Sequence, residues 1–195
     1  MTTELMIQPI FATPIAFKTI DIPDSLDECI RGLKFKKIED EGTREFGYQS
    51  EDTDLLRNIP TLEKTITKEV QDFNDKVMNH ITPVKLTRSW ATKFSPGEEG
   101  EIHIHQNSSY SFVLYLDSGS SIQFQKWTKD ELWKPKSENY NIFNMTSYDM
   151  PIEKGKLVIF LSSTPHKILK VEGDKDRYSI AGNYIVTDLG DFKIV

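Results

Sequence analysis

The sequence predicts a mainly β fold with flanking helices, a sandwich or barrel with the helices packed on one sheet. Three observations predict it. Apolar residues recur every three or four positions only before Pro83. After Pro83 the period changes from helical to alternating. The remainder divides into seven or so short β-forming segments separated by turn residues.

Ile7 to Phe17 is apolar but contains Pro9 and Pro14, which suits an extended or edge segment. Pro23-Asp24-Ser25 opens a helix. Ser25 and Glu28 have capping-box spacing, and Leu26, Ile30 and Leu33 form its apolar stripe. Residues 36–60 read as polar and irregular, with a short helical turn near Leu55. Leu62, Ile66, Val70, Phe73, Val77 and Ile81 then mark one face of a longer helix, with His80 as a surface residue near its end.

Val84, Leu86, Arg88, Trp90, Thr92 and Phe94 alternate onto one side of a strand. A Ser95-Pro96-Gly97 loop leads to the short alternating run Glu101 to His105. Strands follow over Ser111–Leu116, Ile122–Trp127 and Leu157–Leu161. Ile168–Val171 and Tyr178–Val186 flank a Gly173-Asp174 turn. Between the strands lies a long insertion over 128–150, dotted with Trp133, Tyr140 and Phe143, of the kind that covers sites. We read one domain over 1–195, with an N-terminal strand and helices over 1–83 and a β core over 84–195.

The chain has 195 residues and a formal net charge of -6, with no basic run. That argues against nucleic acid as a partner, since clustered cations are needed to neutralise phosphates. The single cysteine, Cys29, cannot form an internal disulfide and reads as a structural thiol. No segment has the length and hydropathy of a membrane span or the pattern of a signal peptide, so the expected location is the cytoplasm. An exposed sheet edge would allow a homodimer.

The chemistry concentrates in the histidines. Three of the four in the chain are His103, His105 and His166. His103 and His105 are two apart, so on a strand both imidazoles share one face. His166 follows a buried strand and could bring a third ligand from elsewhere in the barrel. A pair alone balances evenly between metal ligands and exposed edge histidines. Arg177-Tyr178-Ser179 shifts that balance toward a metal. Arg177 and Ser179 alternate onto one face and could grip a carboxylate with a guanidinium fork and a hydroxyl. If the Gly173-Asp174 turn closes a hairpin, His166 faces Ala181, and Arg177 and Ser179 lie roughly 7–13 Å further along the metal face. A dicarboxylate could bridge that gap. Tyr115 shares a strand face with Val113 and Ser111 and could meet the same ligand or pack in the core. Asn107, Asn183 and Trp90 are weaker pocket candidates, and Lys93 weaker still.

The order His103-Ile104-His105, then Gly155-Lys156-Leu157-Val158-Ile159-Phe160, His166, Arg177-x-Ser179 and Asn183 resembles the iron(II)- and 2-oxoglutarate-dependent oxygenases. The nearest resemblance is to a prolyl-hydroxylase-like branch found in bacteria and marine phages. The opening Pro9-Ile10-Phe11-Ala12-Thr13-Pro14-Ile15 and the block from Trp90 to Leu116 carry it further. The resemblance implies a distorted double-stranded β-helix, a jelly-roll of cupin type. It implies Fe(II) and 2-oxoglutarate as cofactor and co-substrate, and hydroxylation of a peptidyl prolyl group or a small molecule. If the gene is a phage gene, the location becomes the host cytoplasm. His103 matches the first histidine of the family's His-x-Asp/Glu motif, and His105 stands where the carboxylate usually sits. His166 matches the distal histidine, and Arg177 with Ser179 the co-substrate clamp. The same branch shows HxH, which favours three histidines as ligands. Glu101, two residues before His103, is the rival ligand or a supporting partner. Two other readings stand beside this one: a three-histidine iron dioxygenase without 2-oxoglutarate, and a non-catalytic cupin-like module.

Overall fold

The computed structural model describes residues 9–39, 45–126 and 138–188, except the side chains at 39, 45 and 46. Trp127 and residues 128–137 of the expected insertion, Trp133 among them, therefore lie outside the described residues. In chain order the elements are β1 (Ile15–Thr19), α1 (Asp24–Arg31), β2 (Phe35–Glu39), β3 (Glu45–Ser50), a short 3-10 turn (Leu55–Asn58), α2 (Pro60–Lys76), β4 (Val84–Phe94), β5 (Tyr110–Tyr115), β6 (Ser121–Gln125), β7 (Ser147–Pro151), β8 (Lys156–Leu161), β9 (His166–Ile168) and β10 (Arg177–Val186).

The strands form two antiparallel sheets. The larger has the order β1-β8-β5-β10-β4-β3-β2 and the smaller β7-β6-β9. One face of the large sheet carries the helices. There Ile30, Ile66, Val70 and Phe73 pack on Leu86, Tyr110, Phe112, Leu114, Ile180 and Tyr184. The other face meets the small sheet through Tyr115, Val158 and Phe160 against Ile122, Phe124 and Met150. Each fully buried Val, Leu, Ile or Phe side chain contributes about 1.5–3 kcal/mol. The two sheets make the distorted jelly-roll that the resemblance implied, with helices on one sheet.

Several local expectations are corrected. Pro23, not Ser25, caps α1, and no side chain supplies a cap hydrogen bond. The carbonyl of Pro23 accepts from the amides of Leu26 and Asp27 instead. Residues 36–60 contain the paired strands β2 and β3. Helix α2 stops at Lys76, and Ile81 is 97% exposed. The turn after it puts Asn79 at a positive φ of 55. His80 is exposed, as expected of a surface residue, with its Nδ1 3.0 Å from the Tyr110 hydroxyl. Cys29 is exposed.

Strand β4 does not keep one alternation along its length. Asn183 faces Arg88, but Tyr184 faces Leu86, leaving Thr87 as an extra residue. This β-bulge switches faces. Val84 and Leu86 join the helix-side core, whereas Arg88, Trp90, Thr92 and Phe94 align with Asn183, Ala181, Ser179 and Arg177 on the face toward the small sheet. The next residue, Gly182, must be glycine. A Cβ there would lie 2.5 Å from Cε1 of Phe112 and 2.7 Å from the Arg88 carbonyl oxygen.

Candidate metal centre

The face of β10 that looks toward the small sheet is polar where a core would be apolar. Arg177, Ser179 and Asn183 are all buried. Ser179 stands opposite Tyr115, Ala181 opposite Val113, and Asn183 opposite Ser111 on β5. The expected sharing of one face by Arg177 and Ser179, and of another strand's face by Tyr115, Val113 and Ser111, matches the register, which sets the two groups side by side. The expected hairpin between His166 and Arg177 does not form. β9 pairs with β6 in the small sheet, whereas β10 pairs with β4 and β5 in the large one. His166 approaches the β10 face from across the sandwich.

His103 and His105 are not on a regular strand. One isolated antiparallel bridge joins His103 to His166, closed by two backbone hydrogen bonds of 3.0 Å. The amide of His105 donates to the Ser162 carbonyl at 2.9 Å. These few bonds suffice to bring the three imidazoles together. One nitrogen from each lies within 4.8 Å of the others. Nε2 of His105 and Nε2 of His166 are 3.3 Å apart. Phe160 packs edge-on against His166 at 4.6 Å between ring centroids. The Trp90 ring stands 5.9 Å from His105.

Two tautomers follow from the hydrogen bonds. Nδ1–H of His103 donates to the Glu101 carbonyl at 2.8 Å, and Nδ1–H of His166 to the Thr164 carbonyl at 2.9 Å. A carbonyl can only accept, so in both rings Nε2 is left with its lone pair. Burial, reinforced by the nearby His103, lowers His105 to about 4 and His166 to about 3. Both are neutral imidazoles near pH 7, the form that binds metals. Glu101 contributes its backbone carbonyl, and its carboxylate is not among the converging ligand atoms.

The donor set fits a first-row metal ion. With metal–nitrogen bonds of about 2.1 Å, two imidazoles bound side by side place their nitrogens about 3.0–3.4 Å apart. Three neutral nitrogens from one side leave the opposite positions open for exogenous ligands.

Beyond the histidines, the Arg177 side chain is 3% exposed, and none of its three guanidinium nitrogens has a hydrogen-bond partner among the described residues. Its Cζ lies 5.1 Å from the Tyr115 ring centroid. The Tyr115 hydroxyl is also buried and unpartnered. Burial pushes it up to about 12, partly offset by the Arg177 cation. Burial lowers Arg177 from its ordinary value, opposed by Tyr115 and Asp117, yet a guanidinium remains charged. An unpaired buried cation costs several kcal/mol. Ser179 differs, because its hydroxyl is already bonded to Thr92 at 2.7 Å. A cavity of about 330 Å³ between the 117–120 and 171–176 loops reaches Arg177 but none of the histidines.

The other sequence-derived candidates fall as follows. Asn183 lies with its Nδ2 3.5 Å from His105 Nδ1. Asn107 is an exposed turn residue at φ 58. Lys93 is engaged by Asp176 at 2.9 Å. Sequence reasoning missed Ser162, and noted Ser111 only as a face-mate of Tyr115. Their hydroxyls are 2.8 Å apart beneath Asn183. A serine heading the apolar run Ser111-Phe112-Val113-Leu114-Tyr115 was the available signal. Tyr140 and Phe143 of the insertion are exposed.

Comparison with known proteins bears on the same stretch. Residues 88–183 match the family described as "Putative 2OG-Fe(II) oxygenase". No curated protein matches the chain by sequence. Among solved structures, HygX from Streptomyces hygroscopicus, with nickel, 2-oxoglutarate and hygromycin B bound, superposes with a TM-score of 0.64 at 13% identity. The match covers 93% of this chain and 86% of that one. A Pseudomonas putida prolyl-4-hydroxylase gives 0.55 at 15% identity, covering 90% and 94%. SnoN, an alpha-ketoglutarate-dependent epimerase of nogalamycin biosynthesis, gives 0.66 at 11% identity, covering 89% and 79%. These similarities show the fold. The family match spans the whole stretch from Arg88 to Asn183 and so includes all three clustered histidines and Arg177. By that match the chain is an iron(II)- and 2-oxoglutarate-dependent oxygenase of the 2OG-Fe(II) superfamily.

Proposed function

We propose that His103, His105 and His166 hold the iron, and that Arg177 with the Tyr115 hydroxyl and Ser179 binds the distal carboxylate of 2-oxoglutarate. The observation that carries this reading is the buried, unpartnered Arg177 guanidinium beside the unpartnered Tyr115 hydroxyl. A carboxylate between them would satisfy both groups and neutralise the charge. The spacing supports it. The Trp90 ring near His105 is level with Ala181, four residues before which lies Arg177, about 13 Å along the strand. The Arg177 side chain spans part of that distance, and a five-carbon dicarboxylate spans the rest.

Bound iron(II) supplies oxygen activation coupled to oxidation of 2-oxoglutarate to succinate and carbon dioxide. The chain's own residues do the positioning. Thr164 and Glu101 hold the His166 and His103 rings so that Nε2 is presented. Phe160 and Phe124 pack against the His166 ring and Trp90 against the His105 ring, shielding these two from water. Arg177 fixes the far end of the co-substrate, and with it the orientation of the near end. The outcome proposed is hydroxylation of a substrate bound at the open side, either a peptidyl prolyl group or a small molecule. The fold itself also hosts other outcomes, as the epimerase SnoN illustrates.

The test is 2-oxoglutarate binding and turnover by the iron-loaded chain. Anaerobic addition of 2-oxoglutarate is expected to raise a visible charge-transfer band, with succinate forming on exposure to air. Arg177→Leu is expected to lose the band at the same co-substrate concentration while retaining iron. Normal iron binding with neither band nor succinate overturns the reading.

A further inference from the structure

Asn183 has no counterpart in the chemistry described so far, yet its side chain ends between the histidines and a buried hydroxyl pair. Oδ1 accepts from the Ser111 hydroxyl at 3.0 Å, and Ser111 in turn lies 2.8 Å from the Ser162 hydroxyl. Nδ2 points at Nδ1 of His105, 3.5 Å away. Ser111, Ser162 and Asn183 are all buried. Asn183 also sits at the β4–β10 bulge, and the Thr87 hydroxyl caps its backbone carbonyl at 2.9 Å.

The direction of these bonds fixes the His105 proton. An amide NH2 only donates, so Nδ1 of His105 is the acceptor and its hydrogen lies on Nε2. That hydrogen points at the lone pair on Nε2 of His166, 3.3 Å away. In this arrangement the His105 proton lies on the side where an ion would bind. For Nε2 of His105 to become a ligand, the proton must reside on Nδ1 instead. There the neighbouring group is the Asn183 amide, which would have to present oxygen rather than nitrogen.

We infer that Asn183 is a positioning residue that selects the metal-binding tautomer of His105 by turning its amide through about 180°. After the turn, Oδ1 accepts from Nδ1–H of His105. Nδ2 donates to Ser111, and Ser111 donates to Ser162. The Asn183–Ser111 and Ser111–Ser162 bonds persist in both states, because a serine hydroxyl can either donate or accept. The proton balance closes: His105 loses one proton from Nε2 to water and takes one from water at Nδ1, so its charge is unchanged. The inference rests on the assignment of His105 as a ligand made above.

The experiment uses the full chain with zinc(II) for spectroscopy and cobalt(II) for titration. With ¹⁵N-labelled histidine, the zinc-loaded wild type is expected to show His105 bound through Nε2, with Nδ1–H protected from solvent exchange. Asn183→Leu is expected to lose that protection and to weaken cobalt(II) binding about 10–100-fold. Asn183→Asp keeps an acceptor but no donor, and is expected to restore protection and bind at least as tightly as the wild type. Asn183→Leu binding within about twofold of the wild type, with protection intact, overturns the inference and leaves the iron assignment standing. So does an Asn183→Asp variant that folds but binds as weakly as Asn183→Leu. A wild-type chain that takes up neither metal overturns the iron assignment itself.

Discussion

Nε2 of His105 and Nε2 of His166 lie 3.3 Å apart although 61 residues separate them in the chain. The separation is that of two imidazoles sharing one ion, and it is set by backbone rather than side chains. The His103–His166 bridge and the His105–Ser162 bond hold the two segments in place. Replacing a ring should therefore remove a ligand without dismantling the site.

His105→Ala and His166→Ala are each expected to weaken iron(II) or cobalt(II) binding by more than about 100-fold, exceeding the usual cost of losing a supporting partner. Glu101→Gln is expected to stay within about threefold of the wild type, because its contact with His103 is made by the backbone carbonyl. Equilibrium metal titration checks both. A large loss in Glu101→Gln alone would reinstate the carboxylate as ligand.

Arg177→Met removes a buried charge whose guanidinium has no hydrogen-bond partner among the described residues. Without co-substrate the variant is expected to be as stable as the wild type, or more stable by about 1–3 kcal/mol. With saturating 2-oxoglutarate the metal-loaded wild type gains thermal stability and the variant does not. Denaturant titrations with and without co-substrate read both effects.

Metal-free stability should fall in acid. His105 and His166 have folded-state values of about 4 and about 3, below the ordinary 6.5, because burial disfavours their charged forms. Above pH 6.5 both states carry neutral rings and the histidines contribute no pH dependence. Below it the unfolded chain binds protons that the folded chain refuses, so stability drops progressively from about 6.5 toward 3. Urea midpoints at pH 7 and pH 4.5 should differ in that direction. The slope should shrink in a His166→Gln variant.

Gly182→Ala is expected to destabilise the chain by about 1–3 kcal/mol, the usual range for overpacking. The new methyl meets the Arg88 backbone carbonyl, which cannot step aside as a side chain can. Because Asn183 is the next residue, metal affinity should weaken with it. Gly119→Ala, which has open space around it but a positive φ of 91, serves as the contrast for a purely conformational cost.

Much of this was legible in the residues themselves. The change of period at Pro83 marked the end of the last helix and the start of the long central strand β4, because burial on one face imposes 3.6 on a helix and 2 on a strand. The alternation of Arg177, Ser179 and Ala181 survived because β10 lies between two neighbours that hold it regular. Strands β2 and β3 were not legible. They form the polar edge of the large sheet, where Lys36, Lys37 and Glu39 leave no apolar alternation to read. The face switch in β4 was invisible because one extra residue at Thr87 inverts the pattern without changing composition. His103 and His105 read as a strand pair. In the structure a single bridge orients them, and hydrogen bonds to the distant 162–166 segment do the rest. Long-range pairing of that kind leaves no local trace, and neither did the transfer of His166 to the opposite sheet.

The central claim is that three histidines hold the iron while Arg177 holds the co-substrate. A crystal structure of the full chain, loaded anaerobically with iron(II) and 2-oxoglutarate and recorded at the iron absorption edge, tests it most directly. The account predicts an anomalous peak about 2.0–2.2 Å from one nitrogen each of His103, His105 and His166, with a carboxylate at the Arg177 guanidinium. Iron bound by the Glu101 carboxylate in place of His105, or a dicarboxylate that leaves Arg177 unpaired, would contradict it.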